Sequence, residues 1–418
     1  MHDSPLTGLV LSGGGARAAY QVGVLRAVMR LRREALTAAG SLTFMRRNPF
    51  AVITGTSAGA INAAALACHA DDMEAAVQGI AHVWENFNAE QVYRADSLGV
   101  IRTGAQWLTM LSIGWAIRRW RRARPRSLLD NGPLMELLQQ VVPFERLPRL
   151  LRGHHLHALA VTASSYTSGL HATFYEAGSP VAPWVRSQRI AVSGPIGVQH
   201  LLASSAIPFV FPATTLTLEG EPEWFGDGSM RQTAPISAAI HLGAQRVLII
   251  GAGRMNEPPG RRVRADGYPN LAQIAGHTLA SIFLDALAVD VERMQRINAT
   301  LALLPPEALR HTALRPVEAL VIAPSQRLDD IAARHLGSMP GPIRTLLRGV
   351  GVSGSGNDAR GAALASYLLF EAPYTRELIA LGEADTVARR EDVARFFGWR
   401  SGPGAEGAAV QADLVQQP

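Results

Sequence analysis

Three short stretches of this chain carry residue types that could do covalent chemistry. The first is Gly55-Thr56-Ser57-Ala58-Gly59, a G-x-S-x-G pattern. A sharp turn there would lift the Ser57 hydroxyl onto a helix N-terminus, where N–H groups and the helix dipole favour negative charge. Such a turn crowds its flanks, so Gly55 and Gly59 suit it. An ordinary strand-to-helix turn with Ser57 as its cap would read the same way. The second is Gly13-Gly14-Gly15-Ala16-Arg17. Consecutive glycines expose N–H groups to an approaching carbonyl oxygen, and each such donor is worth roughly 3–4 kcal/mol in an oxyanion hole. The competing reading is a dinucleotide loop, because Gly13-x-Gly15-x-x-Ala18 comes near G-x-G-x-x-G. That loop expects an acidic residue about 20 positions on. The nearest, Glu34, lies in an Arg-rich helical stretch. The third stretch is Gly226-Asp227-Gly228. Alone it is a common turn.

Each stretch follows a strand-like run. Residues 6–11 (LTGLVL) read as a buried strand running into the glycines, and helical spacing continues over 16–33. Residues 50–53 form a second apolar run before the Ser57 turn, with an Ala-rich helix over 60–70. Further helices are expected over 71–90, 106–117, 134–142, 197–205 and 271–298. Strands are expected at 156–163, 170–175, 246–250 and 318–322, with a hairpin of 215–218 and 223–225 closed by 219–222. Residues 354–361 read as a loop. Beyond about 330 the pattern is helical only, and 402–418 reads as a frayed tail. Strands alternating with helices predict an α/β fold in three layers, a mostly parallel sheet with helices on both faces and a helical C-terminal extension. The expected division is 1–330, 331–400 and a flexible 401–418.

Composition removes other classes. With 418 residues and 48% hydrophobic content, the chain can bury a large core. All 40 basic side chains are arginine. No lysine is present for a Schiff base or a Walker-type phosphate loop. A net charge of +6 does not point to nucleic acid. The single Cys68 excludes an internal disulfide framework. No histidine sits in a catalytic signature, and the pair His154-His155 lacks metal-ligand spacing; no metal and no cofactor are expected. The N-terminus lacks the basic and apolar regions of a signal peptide. The nearest apolar run to a membrane span, Trp107 to Ile117, has about eleven residues, against about 20 for a span. Arginines 118, 119, 121, 122, 124 and 126 follow it. Together Trp107 to Arg126 could dip into a lipid surface, or form a core helix with a solvated end. A cytoplasmic protein with peripheral membrane contact is expected.

Taken together, the three motifs resemble the patatin-like phospholipase family. The matching stretches are GGGARAAYQVGVL from Gly13, GTSAGA from Gly55 and DGSMRQTAPI from Asp227. Lesser echoes are SLLDNGPLMELL from Ser127, SSAIPFVFP from Ser204 and SYLLFEAPYTRELIALG from Ser366. The family's glycine loop commonly ends in Gly where this chain has Ala18, and its Asp-Gly is often followed by Gly or Ala where this chain has Ser229. The resemblance implies a Ser–Asp dyad: Ser57 the nucleophile, Asp227 its base, and Gly13, Gly14 and Gly15 with Arg17 the oxyanion-hole loop. It implies metal-free hydrolysis of phospholipid or lysophospholipid acyl esters. A carboxylate with an ordinary pKa near 4 is a weak base, so burial or a short bond to Ser57 must compensate. Two rivals stand. A Ser–His–Asp esterase on an α/β-hydrolase fold would normally place several strands before its elbow, and only one clear strand precedes Ser57. A silent lipid-binding protein would be marked by a broken Ser57 or Asp227, and both are intact.

Overall fold

A computed structural model of the chain describes residues 5–40, 47–94, 127–255, 268–354 and 361–399. Ten strands run in chain order: β1 (Thr7–Leu11), β2 (Val52–Thr56), β3 (Ala158–Ser165), β4 (His171–Ala177), β5 (Val185–Arg186), β6 (Arg189–Ser193), β7 (Thr214–Leu218), β8 (Glu221–Asp227), β9 (Arg246–Ile250) and β10 (Glu318–Ile322). They form one mixed, mostly parallel sheet in the order β10-β9-β1-β2-β3-β4-β6-β5, with β8 joined to β3 and β7 to β8. The block from β10 to β3 is parallel throughout. Its central strands read as continuous apolar runs because both faces are covered.

Helices α1 (Ala19–Ala38), α2 (Ala58–Ala67) and α3 (Met73–Glu85) pack on one face. The helices Ser237–His241 and Ala286–Ala302 cover the other. The C-terminal segment is helical, as the sequence predicts. Its Tyr374, Leu378, Ile379, Val393 and Phe396 lie in the same core as Leu9, Leu11 and Tyr20, so packing continues across position 330. Tyr20 also donates from its hydroxyl to Asp385 at 3.0 Å.

Several local expectations are corrected. β2 ends at Thr56, because its glycine and threonines extend the strand up to the turn. The β7–β8 turn is only Glu219-Gly220, with φ of 52° and 91°. Left-handed angles at both positions match the twist of a two-residue hairpin. The β5–β6 hairpin and the short helix Leu147–Arg152 carry too few apolar residues to show in the sequence pattern. Among the described residues the helix Leu271–Ala302 is long and apolar enough, by length and composition, to cross a membrane. Its apolar residues are spaced helically rather than contiguously, so no single run stands out. Here Phe283, Leu287, Val291 and Met294 are buried in the core. The expectations for 107–126 and 401–418, and for most of 354–361, lie outside the described residues.

Candidate active site

The edge of β3 explains how two residues 170 positions apart meet. β4 occupies one edge of β3 along 158–164. On the other edge β2 runs parallel to β3 and stops at Thr56, opposite Thr162. β8 comes from the opposite direction and ends at Asp227, opposite Ala163. The two strands abut end to end. Ser57 Oγ donates to Asp227 Oδ2 at 2.6 Å across the junction.

The turn at Ser57 is as tight as the sequence demands. Its φ of 56° and ψ of −132° lie where side chains are rarely tolerated. Its N–H donates to Ser204 Oγ at 2.8 Å, and α2 starts at the next residue. A Cβ on Gly59 would stand 2.4 Å from the Leu11 carbonyl oxygen, and one on Gly55 would stand 2.3 Å from that of Gly59. Only glycine lets the elbow press this closely on β1.

The glycine loop lies against the same point. A Cβ on Gly13 would sit 2.3 Å from Ser229 Oγ and 3.0 Å from Ser57 Cβ. Among the described residues no acceptor takes the N–H of Gly13 or Gly14. Gly15 turns the chain with a φ of 55°. Arg17 is buried, and its guanidinium is directed to the C-terminal helices. Its Nε donates to Ser366 Oγ at 2.8 Å, it pairs with Asp329, and it stacks over the Tyr367 ring at 3.9 Å. Arg17 thereby fastens the loop to the segment that follows β10.

Asp227 has no exposed surface. Burial pushes its carboxyl from 3.8 up to about 6, although donation from Ser57 and from Ser229 pulls the other way. The desolvated carboxylate is therefore a stronger base than a free one. Ser57 lies at the wall of a cleft of about 590 Å³, open solvent at its mouth included. Ile61, Trp84, Leu134, Leu138, Phe211 and Phe370 line it, and its few polar side chains are hydroxyls. Such a lining suits a hydrocarbon chain.

A family model described as "Patatin-like phospholipase" matches residues 9–240, which contain the elbow, the glycine loop and the Asp-Gly turn. The chain belongs to the patatin-like phospholipase family. No curated protein matches the chain in sequence. Among solved structures it is similar to VipD from Legionella pneumophila, with 12% identity and a TM-score of 0.30 over 90% of this chain and 67% of that one. It is similar to human GIVD cytosolic phospholipase A2 in complex with methyl gamma-linolenyl fluorophosphonate, with 13% identity and a TM-score of 0.37 over 95% and 60%. It is also similar to ExoU from Pseudomonas aeruginosa, solved with SpcU, with 16% identity and a TM-score of 0.24 over 99% and 77%. The chain thus spans 60% of the human enzyme's solved chain.

Two residues of this patatin-like site carried no assigned role in the sequence reading. Ser204 lies in the echo SSAIPFVFP, yet only the fold reveals that it holds the elbow's N–H. Ser229, a departure from the family's usual small residue, gives Asp227 both its N–H, at 2.9 Å from Oδ1, and its hydroxyl. Removing that hydroxyl in Ser229→Ala withdraws stabilisation of the charged carboxylate. The acid limb of kcat/KM, expected near pH 6 from Asp227, should then move to higher pH. Activity on the acid side should drop by about threefold or more, with the alkaline plateau little changed. A pH–rate profile of both proteins checks this, and coincident acid limbs would refute it.

Proposed function

We propose that this protein hydrolyses acyl esters of membrane phospholipids or lysophospholipids through a Ser57–Asp227 dyad. The observation that carries the reading is the direct 2.6 Å hydrogen bond between the two, beside an apolar cleft. Ser57 Oγ attacks the ester carbonyl carbon and its proton passes to Asp227 Oδ2. The oxyanion forms against the N–H groups of the Gly13–Gly15 loop, where each donor is worth about 3 kcal/mol or more. Collapse expels the alcohol, which takes the proton from Asp227 and leaves an acyl ester on Ser57. Asp227 then draws a proton from water as the water attacks the acyl carbon; the Oγ–acyl bond breaks, Ser57 Oγ takes that proton back from Asp227, and the fatty acid leaves. The cleft holds the acyl chain. Arg17 is a positioning residue that keeps the glycine loop in place. Every step uses side chains and backbone only, with no metal or cofactor.

Work at a membrane surface, reached from the cytoplasm, completes the proposal. The described residues that flank the Trp107 to Arg126 stretch lie beside the cleft: Arg94 N–H donates to the Asp130 carbonyl at 3.0 Å, and Leu128 N–H to that of Phe209 at 2.8 Å. Val92 and Leu134 line the cleft, and Phe209 is 74% exposed beside it. A sequence rich in apolar and arginine residues between those flanks suits a phospholipid interface.

Covalent labelling tests the chemistry. A fluorophosphonate ester should modify Ser57, located by mass spectrometry, and should fail on Ser57→Ala and Asp227→Asn. Among the described residues no histidine hydrogen-bonds to Ser57 or Asp227. A histidine substitution that stops labelling with Asp227 intact would replace the dyad with a Ser–His–Asp triad. Folded protein that never labels, with or without anionic vesicles, would end the hydrolase reading.

A further inference from the structure

The face of the sheet opposite the acyl cleft carries a second cavity of about 300 Å³, open solvent included. Thr162, His171, Thr173, Arg186, Arg189 and Gln232 line it, and Trp184, Ala234 and Ala238 supply an apolar share. Strand register explains the grouping. His171 of β4 stands beside Arg189 of β6, and Arg189 stands directly opposite Arg186 of β5. Cross-strand neighbours project on the same face, so three basic side chains form one row across three strands. Like charges placed opposite each other weaken a sheet. Among the described residues neither arginine has an ion pair, and Arg186 donates only to the carbonyl of its neighbour Val185.

His171 completes the row. It is 2% exposed, and neither ring nitrogen has a hydrogen-bond partner. A buried polar group left unpaired is costly, and native proteins rarely carry one without reason. Burial first, then the Arg189 charge, hold its imidazole down at about 4; the backbone carbonyls of Gly228 and of His171 itself lie near enough to favour its proton but out of hydrogen-bond geometry. His241, on the helix packed beside the cavity, is likewise held low by burial and by Arg186, Arg189 and Arg315. Asp290 of the long helix faces this region: it accepts the Ile236 N–H at 3.0 Å, burial pushes its carboxyl up, and the charges of Arg293 and Arg189 pull it down. Among the described residues neither Arg186 nor Arg189 forms an ion pair with it, so the cavity is predominantly positive. It also backs onto the catalytic turn: Gln232 Nε2 donates to Thr56 Oγ1 at 3.2 Å, and Thr56 precedes Ser57.

We propose that the His171–Arg189–Arg186 row is a binding site for a phosphate-type oxyanion. The two guanidinium groups supply charge-assisted donors, whose planar forks match such an anion. The imidazole takes up a proton as the anion enters and donates the third bond. The source is either a soluble phosphate or the phosphate of a lipid headgroup.

Isothermal titration calorimetry on the full chain tests this with inorganic phosphate and glycerol 3-phosphate, at constant ionic strength set by chloride. Saturable binding is expected, with heat that depends on the buffer's ionisation enthalpy because His171 gains a proton. Arg189→Gln should weaken it by about tenfold or more. Arg186→Gln, at an exposed edge where folding is not at stake, should weaken it in the same sense. His171→Gln should abolish the buffer dependence. Sedimentation with phosphatidylcholine vesicles, with and without phosphatidic acid, separates the sources. Binding of soluble phosphate identifies a free ligand. Arg189-dependent binding to phosphatidic acid alone identifies a lipid headgroup. No saturable heat up to about 10 mM, the very weak end of specific binding, together with no Arg189-dependent vesicle binding, overturns the proposal. So does phosphate binding that survives both arginine substitutions.

Discussion

Asp227→Asn should make the protein inert and more stable at once. The inert half follows from losing the base, which contributes about 10²–10⁴ in rate. The stable half follows from the cost of burying a carboxylate. Folding moves the Asp227 carboxyl from 3.8 up to about 6. The folded state therefore binds its proton more tightly than the unfolded state, and this group's contribution to stability falls as pH rises from about 4 to about 6. At neutral pH the penalty is about 3 kcal/mol. Asparagine has nearly the same shape, can accept from Ser229 and donate to Ser57, and carries no charge to desolvate. Its advantage in a denaturant melt should be full at pH 7.5, shrink to a small remainder near pH 4 and vanish below about pH 3, where aspartate is neutral in both states. Equal stabilities at both pH values would mean that Asp227 is not buried as described.

The second large effect sets two inactive variants against each other. Ser57→Ala and Ser57→Gly both remove the nucleophile, and turnover should fall by about 10⁴ or more in each. Both also lose the bond to Asp227, so that loss cancels in the comparison. What remains is the backbone at φ 56° and ψ −132°. Alanine is strained there and glycine is not, which is worth about 1–2 kcal/mol. Elsewhere at a helix start glycine rarely outranks alanine by so much. Thermal melts should put the glycine variant several degrees above the alanine variant. The reverse order would show that the elbow is relaxed. In the proposed dyad, both positions are thus places where stability is given up for reactivity.

The motifs were legible because each needs residue types that local geometry restricts. Ser57 between two glycines, and glycines 13 to 15 after a strand, state their own constraints. The partnership of Ser57 with Asp227 was legible only through family resemblance, since no spacing links positions 170 apart. What the one-dimensional pattern hid was set by strand pairing. The end-to-end meeting of β2 and β8 depends on both choosing the same edge of β3. The family resemblance groups Arg17 with the oxyanion loop, and only the fold shows that its guanidinium binds Asp329 and Ser366. His171, Arg186 and Arg189 showed nothing in sequence, because only register brings them into a row.

The tie between Arg17 and Ser366 bridges 349 positions and has a consequence for biosynthesis. A ribosome adds about 5–20 residues per second, so roughly 20–70 s separate Arg17 from Ser366. Until then the glycine loop lacks this anchor, even though Ser57 and Asp227 have already been made. The loop is therefore fastened late in synthesis, by the same segment that completes the core around Tyr20.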